Sequence, residues 1–257
     1  MPEGDTVFRA VGQLRAALED KVLTATDFRV PRFATLDLAG RTVSEVLSRG
    51  KHLLIRTDEF SIHTHLKMEG VWHVYGHGDR WRRPAHQARV VLETDDVQAV
   101  GFALGITEVL PRSDDGLQML GPDLLGPDWD LAEATRRVSA DGERPIFLAL
   151  HDQANVAGFG NVYVNEICFL SGLDPARPVA AVPDVSAVIE RGRRTILANR
   201  DRPERVFTGV MKPGQMTWVY GRDGKPCRRC RTRIKRSELG DTPTSMRNTF
   251  WCPHCQR

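Results

Sequence analysis

Four of the five cysteines fall in the last 31 residues as two C-x-x-C knuckles, Cys227-Arg-Arg-Cys230 and Cys252-Pro-His-Cys255. Each knuckle can turn two thiolates toward one ion, and two together close a tetrahedral shell of four sulfurs. Such a shell keeps no open position for water, so the chemistry it implies is structural and not catalytic metal binding. A piece of about 35 residues buries too little apolar surface to stand without such help. The competing reading is disulfides or a redox pair. It is disfavoured because the first twenty residues carry Glu3, Asp5, Glu19 and Asp20 and no basic segment before an apolar run, so no secretory leader is expected. Cys168 stands apart in an apolar stretch and reads as a buried small side chain.

Within and between the knuckles stand Arg228, Arg229, Arg231, Arg233, Lys235, Arg236 and Arg247. Residues 201–257 hold 13 Lys and Arg against 5 Asp and Glu, whereas residues 1–200 hold 23 against 28, and the whole chain is only +3. The near-neutral total would not by itself point to a polyanion. A basic, metal-stapled tail on an acidic body does, because a fixed hairpin presents guanidinium groups with little entropy left to lose. His63-Thr-His65 is a further cluster of potential ligands. With no carboxylate motif beside it, packing or hydrogen bonding is the better reading.

The elements that must position these groups follow from periodicity. Asp5 reads as a helix cap, with Val7, Val11, Leu14 and Leu18 at helical spacing after it. Residues 23–38 read as strands and turns broken at Pro31. Short β-rich runs follow at 41–46, 52–57, 61–66, 71–75, 89–93 and 97–102, the rhythm of a sandwich or barrel preceded by one helix. Residues 121–128, with two Gly-Pro-Asp triplets, read as a linker. The pattern then turns helical, with helices expected over 131–138 behind Asp130, 144–152, 162–171 and 183–199. The expected class is α+β. At 41% apolar and 27% charged, with no apolar run near 18 residues, disordered and membrane-spanning classes drop out.

Four separated motifs then line up in order. They are the MPEGDT start, Arg49-Gly-Lys51-His-Leu-Leu, Ala157-Gly-Phe-Gly-Asn161-Val-Tyr, and Arg247-Asn-Thr-Phe-Trp-Cys252-Pro-His-Cys255-Gln. Together they resemble the formamidopyrimidine-DNA glycosylase / endonuclease VIII family over essentially the whole chain. The MPEG start looks more like the endonuclease VIII branch, and the overall run like its actinobacterial type. The resemblance implies an N-terminal β-sandwich flanked by helices over residues 1–120, a helix-two-turns-helix domain over 128–219 and a zinc-finger β-hairpin over 220–257. It implies one structural zinc on Cys227, Cys230, Cys252 and Cys255, and no catalytic metal.

The resemblance also implies a chemistry. Removal of Met1 would free the secondary amine of Pro2, which near pH 8 is partly unprotonated and nucleophilic. Attack on the sugar's anomeric carbon expels the damaged base. The resulting iminium is an electron sink that permits β- and then δ-elimination. Glu3 is the expected proton shuttle, Lys51 a phosphate contact that assists proton transfer, and Arg247 the finger residue gripping the flanking phosphates. Lys67 and Asn161 match DNA contacts, and Met68 matches the wedge that fills the gap left by a flipped base.

Two departures stand out. The formamidopyrimidine branch carries Arg and Phe before a Gly in a second wedge loop, where this chain has Phe102-Ala103-Leu104-Gly105 with Leu104 in the Phe place. That branch also has Lys after Pro-Ile, where this chain has Phe147. Both weaken an oxidised-guanine reading and favour oxidised pyrimidines. The expected partner is damaged DNA, duplex or single-stranded, and the expected setting is a cytoplasmic monomer. The rival reading is a zinc-finger DNA-binding protein without catalysis. A metal-dependent nuclease is disfavoured by the closed cysteine set.

Overall fold

The computed structural model describes residues 2–113 and 116–257. Met1, on whose removal the expected chemistry depends, lies outside the described residues. The chain divides into two compact units, residues 1–119 and 120–257.

The first unit opens with α1 (Gly4–Leu18), whose Val7, Val11, Leu14 and Leu18 are all buried, as their spacing predicts. The cap is not Asp5. Glu3 holds that position, its backbone carbonyl accepting from the N–H groups of Thr6 and Val7, while Asp5 sits inside the first turn. An acidic side chain complements the helix dipole at either place, so residue type marks the region and not the register.

The strands are β1 (Ala25–Phe28), β2 (Glu45–Arg49), β3 (His52–Arg56), β4 (Phe60–His65), β5 (Val71–Gly76), β6 (Ala88–Glu93), β7 (Val97–Phe102) and β8 (Ile106–Pro111). They form two antiparallel four-stranded sheets, ordered β1-β6-β7-β5 and β2-β3-β4-β8. Val46, Leu53, Ile55 and Ile62 of one sheet and Trp72, Val90, Leu92 and Ala99 of the other share a core with α1. The unit is a β-sandwich with a helix against it. The run expected at 41–46 begins late, because Val43 first exchanges backbone hydrogen bonds with Asp20 and Lys21. β8 carries no alternating pattern to announce it: it is an edge strand paired only with β4, and none of its residues is buried.

The second unit contains α2 (Leu131–Val138), α3 (Ile146–His151), α4 (Asn161–Leu170), α5 (Val185–Asn199) and the hairpin of β9 (Lys235–Leu239) with β10 (Arg247–Trp251). Asp130 and Asp184 cap α2 and α5 by accepting from the N–H groups of Glu133 and Ala187, each at 2.9 Å. The segment 121–128 is not an extended linker. Residues 121–124 are buried, and the N–H groups of Gly121 and Leu124 bond to the carbonyls of Gln153 and Ala157. Gly121 is there for close approach, since a Cβ would lie 2.4 Å from the Asn155 carbonyl oxygen.

Candidate active site

In the first unit, Pro2 is half-buried and Glu3 is fully buried at the head of α1. Glu3 makes no side-chain capping hydrogen bond. Lys51 stands on the two-residue turn between β2 and β3. Arg49 pairs with His52 across that turn, and Gly50 supplies the left-handed backbone at φ 59°.

Lys67 and Met68 lie on the loop leaving β4. Lys67 has φ 52° and donates its backbone N–H to His65 Nδ1 at 2.9 Å, and the Gly70 N–H closes the loop on the Leu66 carbonyl. Two glycines make this loop possible. A Cβ on Gly70 would lie 2.4 Å from the Leu66 carbonyl oxygen, and one on Gly105 would lie 2.1 Å from Lys67 Cγ. Met68 is 65% exposed and so is not a core methionine, although Met119 and Met211 are more exposed still. Leu104 behaves oppositely: at 7% exposure it packs in the sandwich core and is not offered as a second wedge.

His63 and His65 do join a hydrogen-bonded and packed network, as expected from the sequence. His52 Nδ1 meets His63 Nε2 at 2.7 Å, His63 Nδ1 meets Glu108 Oε2 at 3.1 Å, and the His52 and His65 rings stand edge-on at 4.9 Å. Burial first, then neighbouring histidines, then Lys67 and Lys51, push His52 down to about 4 and His65 to about 3. The two expected DNA-contact lysines thus converge on one pair of neutral rings.

In the second unit, Asn161 is the first residue of α4 and is 6% exposed. The preceding Gly158 has φ 115°, and Gln153 fixes the turn by accepting from the Gly158 N–H and donating to the Phe159 carbonyl. Asn165, one helical turn on, donates to the carbonyls of Asn161 and Asn248 and accepts from the Phe250 N–H. It therefore ties Asn161 to β10, the strand that begins with exposed Arg247. Glu166 is fully buried and accepts from the N–H groups of Trp218, Val219 and Tyr220. Sequence reasoning does not find Gln153, Asn165 or Glu166. The one signal for the last two is a pair of polar residues in an otherwise apolar helix. Phe147, in place of the lysine, is fully buried.

The Sγ atoms of Cys227, Cys230, Cys252 and Cys255 all lie within 4.8 Å of one another, with three of the pairs at 3.4 to 4.0 Å. Sulfurs about 2.3 Å from a common ion would sit at such separations. Burial, then the neighbouring thiols, pushes the Cys255 thiol up, so a cation beside it is needed for its thiolate form. The donor set fits one metal ion. Burial holds Cys168 up at about 12, as expected of an inert thiol. Of the cationic tail, Arg228 donates to the Thr217 and Gly214 carbonyls and Arg229 stacks over Phe169 and Trp218, so these two hold structure. Arg231, Arg233, Lys235 and Arg236 are exposed.

A β-sandwich with an N-terminal helix, a helical domain with a Gly-rich turn and a four-cysteine hairpin define a class. Residues 1–103 match the formamidopyrimidine-DNA glycosylase N-terminal domain and residues 120–191 its H2TH domain. The chain belongs to the formamidopyrimidine-DNA glycosylase / endonuclease VIII family. It is 52% identical to the DNA-(apurinic or apyrimidinic site) lyase Nei2 of Mycolicibacterium smegmatis, over 100% of this chain and 99% of the relative. It is 48% identical to endonuclease 8 2 of Mycobacterium tuberculosis over 100% of both. In fold it is similar to the Lactococcus lactis Fpg solved with abasic-site DNA, with TM-score 0.81 and 20% identity over 100% of both chains.

Proposed function

We propose that this protein is a bifunctional DNA glycosylase and AP lyase of base excision repair, acting on oxidised bases with pyrimidines favoured. The observation that carries the reading is the pairing of Pro2 with a fully buried Glu3 at the head of α1, in a chain of this family. A buried carboxyl beside a nucleophilic amine is placed to exchange protons, which an ordinary frayed terminus is not.

With Met1 removed, the Pro2 nitrogen lone pair forms a bond to C1′ and the glycosidic bond breaks, its electrons leaving with the base. Glu3 takes the N–H proton that Pro2 must lose and returns it to O4′ as C1′–O4′ cleavage gives the iminium, while the departing base takes up a proton from water. Loss of a C2′ proton expels the 3′ phosphate, and a second elimination expels the 5′ phosphate. Lys51 and Arg247 hold phosphates, Lys51 assists proton transfer and Arg247 the δ-elimination, Lys67 and Asn161 contact the backbone, and Met68 fills the vacated stack. Zinc is the ion proposed for the four cysteines, where it supplies structure alone. The proposed domains are residues 1–120 for catalysis, 128–219 for helical DNA binding and 220–257 for the finger, working as a cytoplasmic monomer.

Borohydride trapping on abasic-site DNA without added magnesium is the test. The processed protein forms a covalent adduct that peptide mapping places on Pro2. A preparation with a retained N-terminal extension, whose Pro2 is an amide, forms none. No adduct from correctly processed protein, or an equal adduct from the extended one, removes the reading. DNA binding without any adduct supports the non-catalytic alternative.

A further inference from the structure

Residues 80–89 carry Arg80, Arg82, Arg83 and Arg89 and no carboxylate. Elsewhere in the first unit Arg9, Arg15, Lys21, Arg29, Arg41 and Arg56 each meet an Asp or Glu. Among the described residues, none of these four arginines does. Arg80 and Arg82 are exposed, and Arg83 and Arg89 are half-buried.

The segment is not a loose loop. Trp81 donates its indole N–H to Gln98 Oε1, stands edge-on to Phe102 at 5.5 Å and lies under the Arg29 guanidinium at 5.3 Å. The Arg82 N–H donates to the Tyr75 hydroxyl at 3.1 Å. Arg83 reaches back to donate to the Glu69 carbonyl at 3.2 Å, beside Met68. Trp81, the Arg82 backbone and Arg83 thereby hold the segment on the outer face of the β5–β7 pair, where Trp81 packs with Tyr75 and Phe102, and Arg83 joins it to the loop that carries Met68. Burial first, then the positive field of Arg82 and Arg83, holds His73 below its ordinary value, so this histidine adds no charge.

We infer that Arg80, Arg82 and Arg83, held by Trp81, form a second phosphate-binding surface, on the outer face of the sandwich, that grips the DNA backbone beyond the damaged site. The partner follows from the chemistry. Guanidinium groups left without carboxylates, gathered on a segment held by Trp81 and linked through Arg83 to the Met68 loop, suit the closely spaced charges of a nucleic-acid backbone. A surface that reads no base edge contributes affinity and register, not sequence choice. The assignment of DNA as the polyanion rests on the proposed function.

The test measures the salt dependence of binding to an undamaged 30-base-pair duplex, with trapping on abasic-site DNA run in parallel. Arg83 is left in place because it also supports the wedge loop. In Arg80→Ala/Arg82→Ala the slope of log affinity against log salt becomes shallower by about 2, one unit for each phosphate no longer held. Arg80→Lys/Arg82→Lys restores it, and trapping at saturating protein is unchanged. An unchanged slope in the alanine variant overturns the surface, as does failure of the wild type to bind undamaged duplex. Salt-dependent binding sensitive to these arginines, with no trapping by the wild type, sinks the catalytic reading and leaves the surface standing.

Discussion

At the residue scale, the site depends on side chains held against their ordinary tendencies. Glu3 is fully buried although a carboxyl normally seeks water, and Met68 is 65% exposed although a thioether normally avoids it. That exposure suits the wedge role proposed for Met68, because a wedge leaves water for the base stack only when DNA arrives. Met68→Ala is expected to slow base release from a duplex roughly tenfold, about 1.4 kcal/mol of barrier. Cleavage at a preformed abasic site should change little, since no base remains to be flipped. Single-turnover rates on the two substrates check this, and equal slowing on both would place Met68 elsewhere. Leu104 makes the complementary point. The family resemblance puts it in the place of a second wedge residue, yet its side chain is core.

At the element scale, α4 organises the second unit. Its first residue is Asn161, its second turn supplies Asn165 to β10, and Glu166 gathers three backbone N–H groups of the segment before the first knuckle. One helix thereby sets the distance from the Gly-rich turn to the finger strand. In the first unit the equivalent device is the β3–β4 pair, which brings His52, His63 and His65 together by register. Two of these rings carry a pH prediction. His52 and His65 are held neutral in the folded state at about 4 and about 3, whereas an unfolded chain binds their protons from about pH 6.5 downward. Protons therefore favour the unfolded state across that interval. Stability is full above pH 6.5, falls as pH drops and stops falling on their account below about 3. Thermal melts between pH 7 and 5 should decline in the wild type and flatten in His52→Gln/His65→Gln. An equally steep decline in the variant would assign the effect to other groups.

At the scale of the whole molecule, charge and metal are distributed unequally. The body is acidic and the tail basic, and the four cysteines lie wholly in the second unit, where the finger shares the Phe169–Phe250 cluster. Elemental analysis should find about one zinc per chain. Chelation is expected to remove DNA binding while the first unit keeps its own cooperative melt, because none of the four ligands belongs to it. Loss of the sandwich melt on chelation, or full DNA binding by metal-free protein, would count against that separation.

Much of this is open to reading in the chain alone. Two C-x-x-C knuckles define a tetrahedral site because ligand spacing is local, and the helix faces of α1 and α5 follow from 3.6-residue periodicity. The chemistry proposed at Pro2 needs its position and, once Met1 is removed, its secondary amine. What the chain does not disclose depends on partners distant in sequence. β8 is an edge strand with no alternation to mark it, and the doubled Gly-Pro-Asp segment packs because Asn155 and Ala157 meet it. Asn165 and Glu166 bond to residues more than fifty positions away. Composition and spacing determined which groups this protein carries. Tertiary structure decided which are buried, which are presented and which hold the others, because burial and hydrogen bonding belong to the neighbours a residue acquires and not to the residue itself.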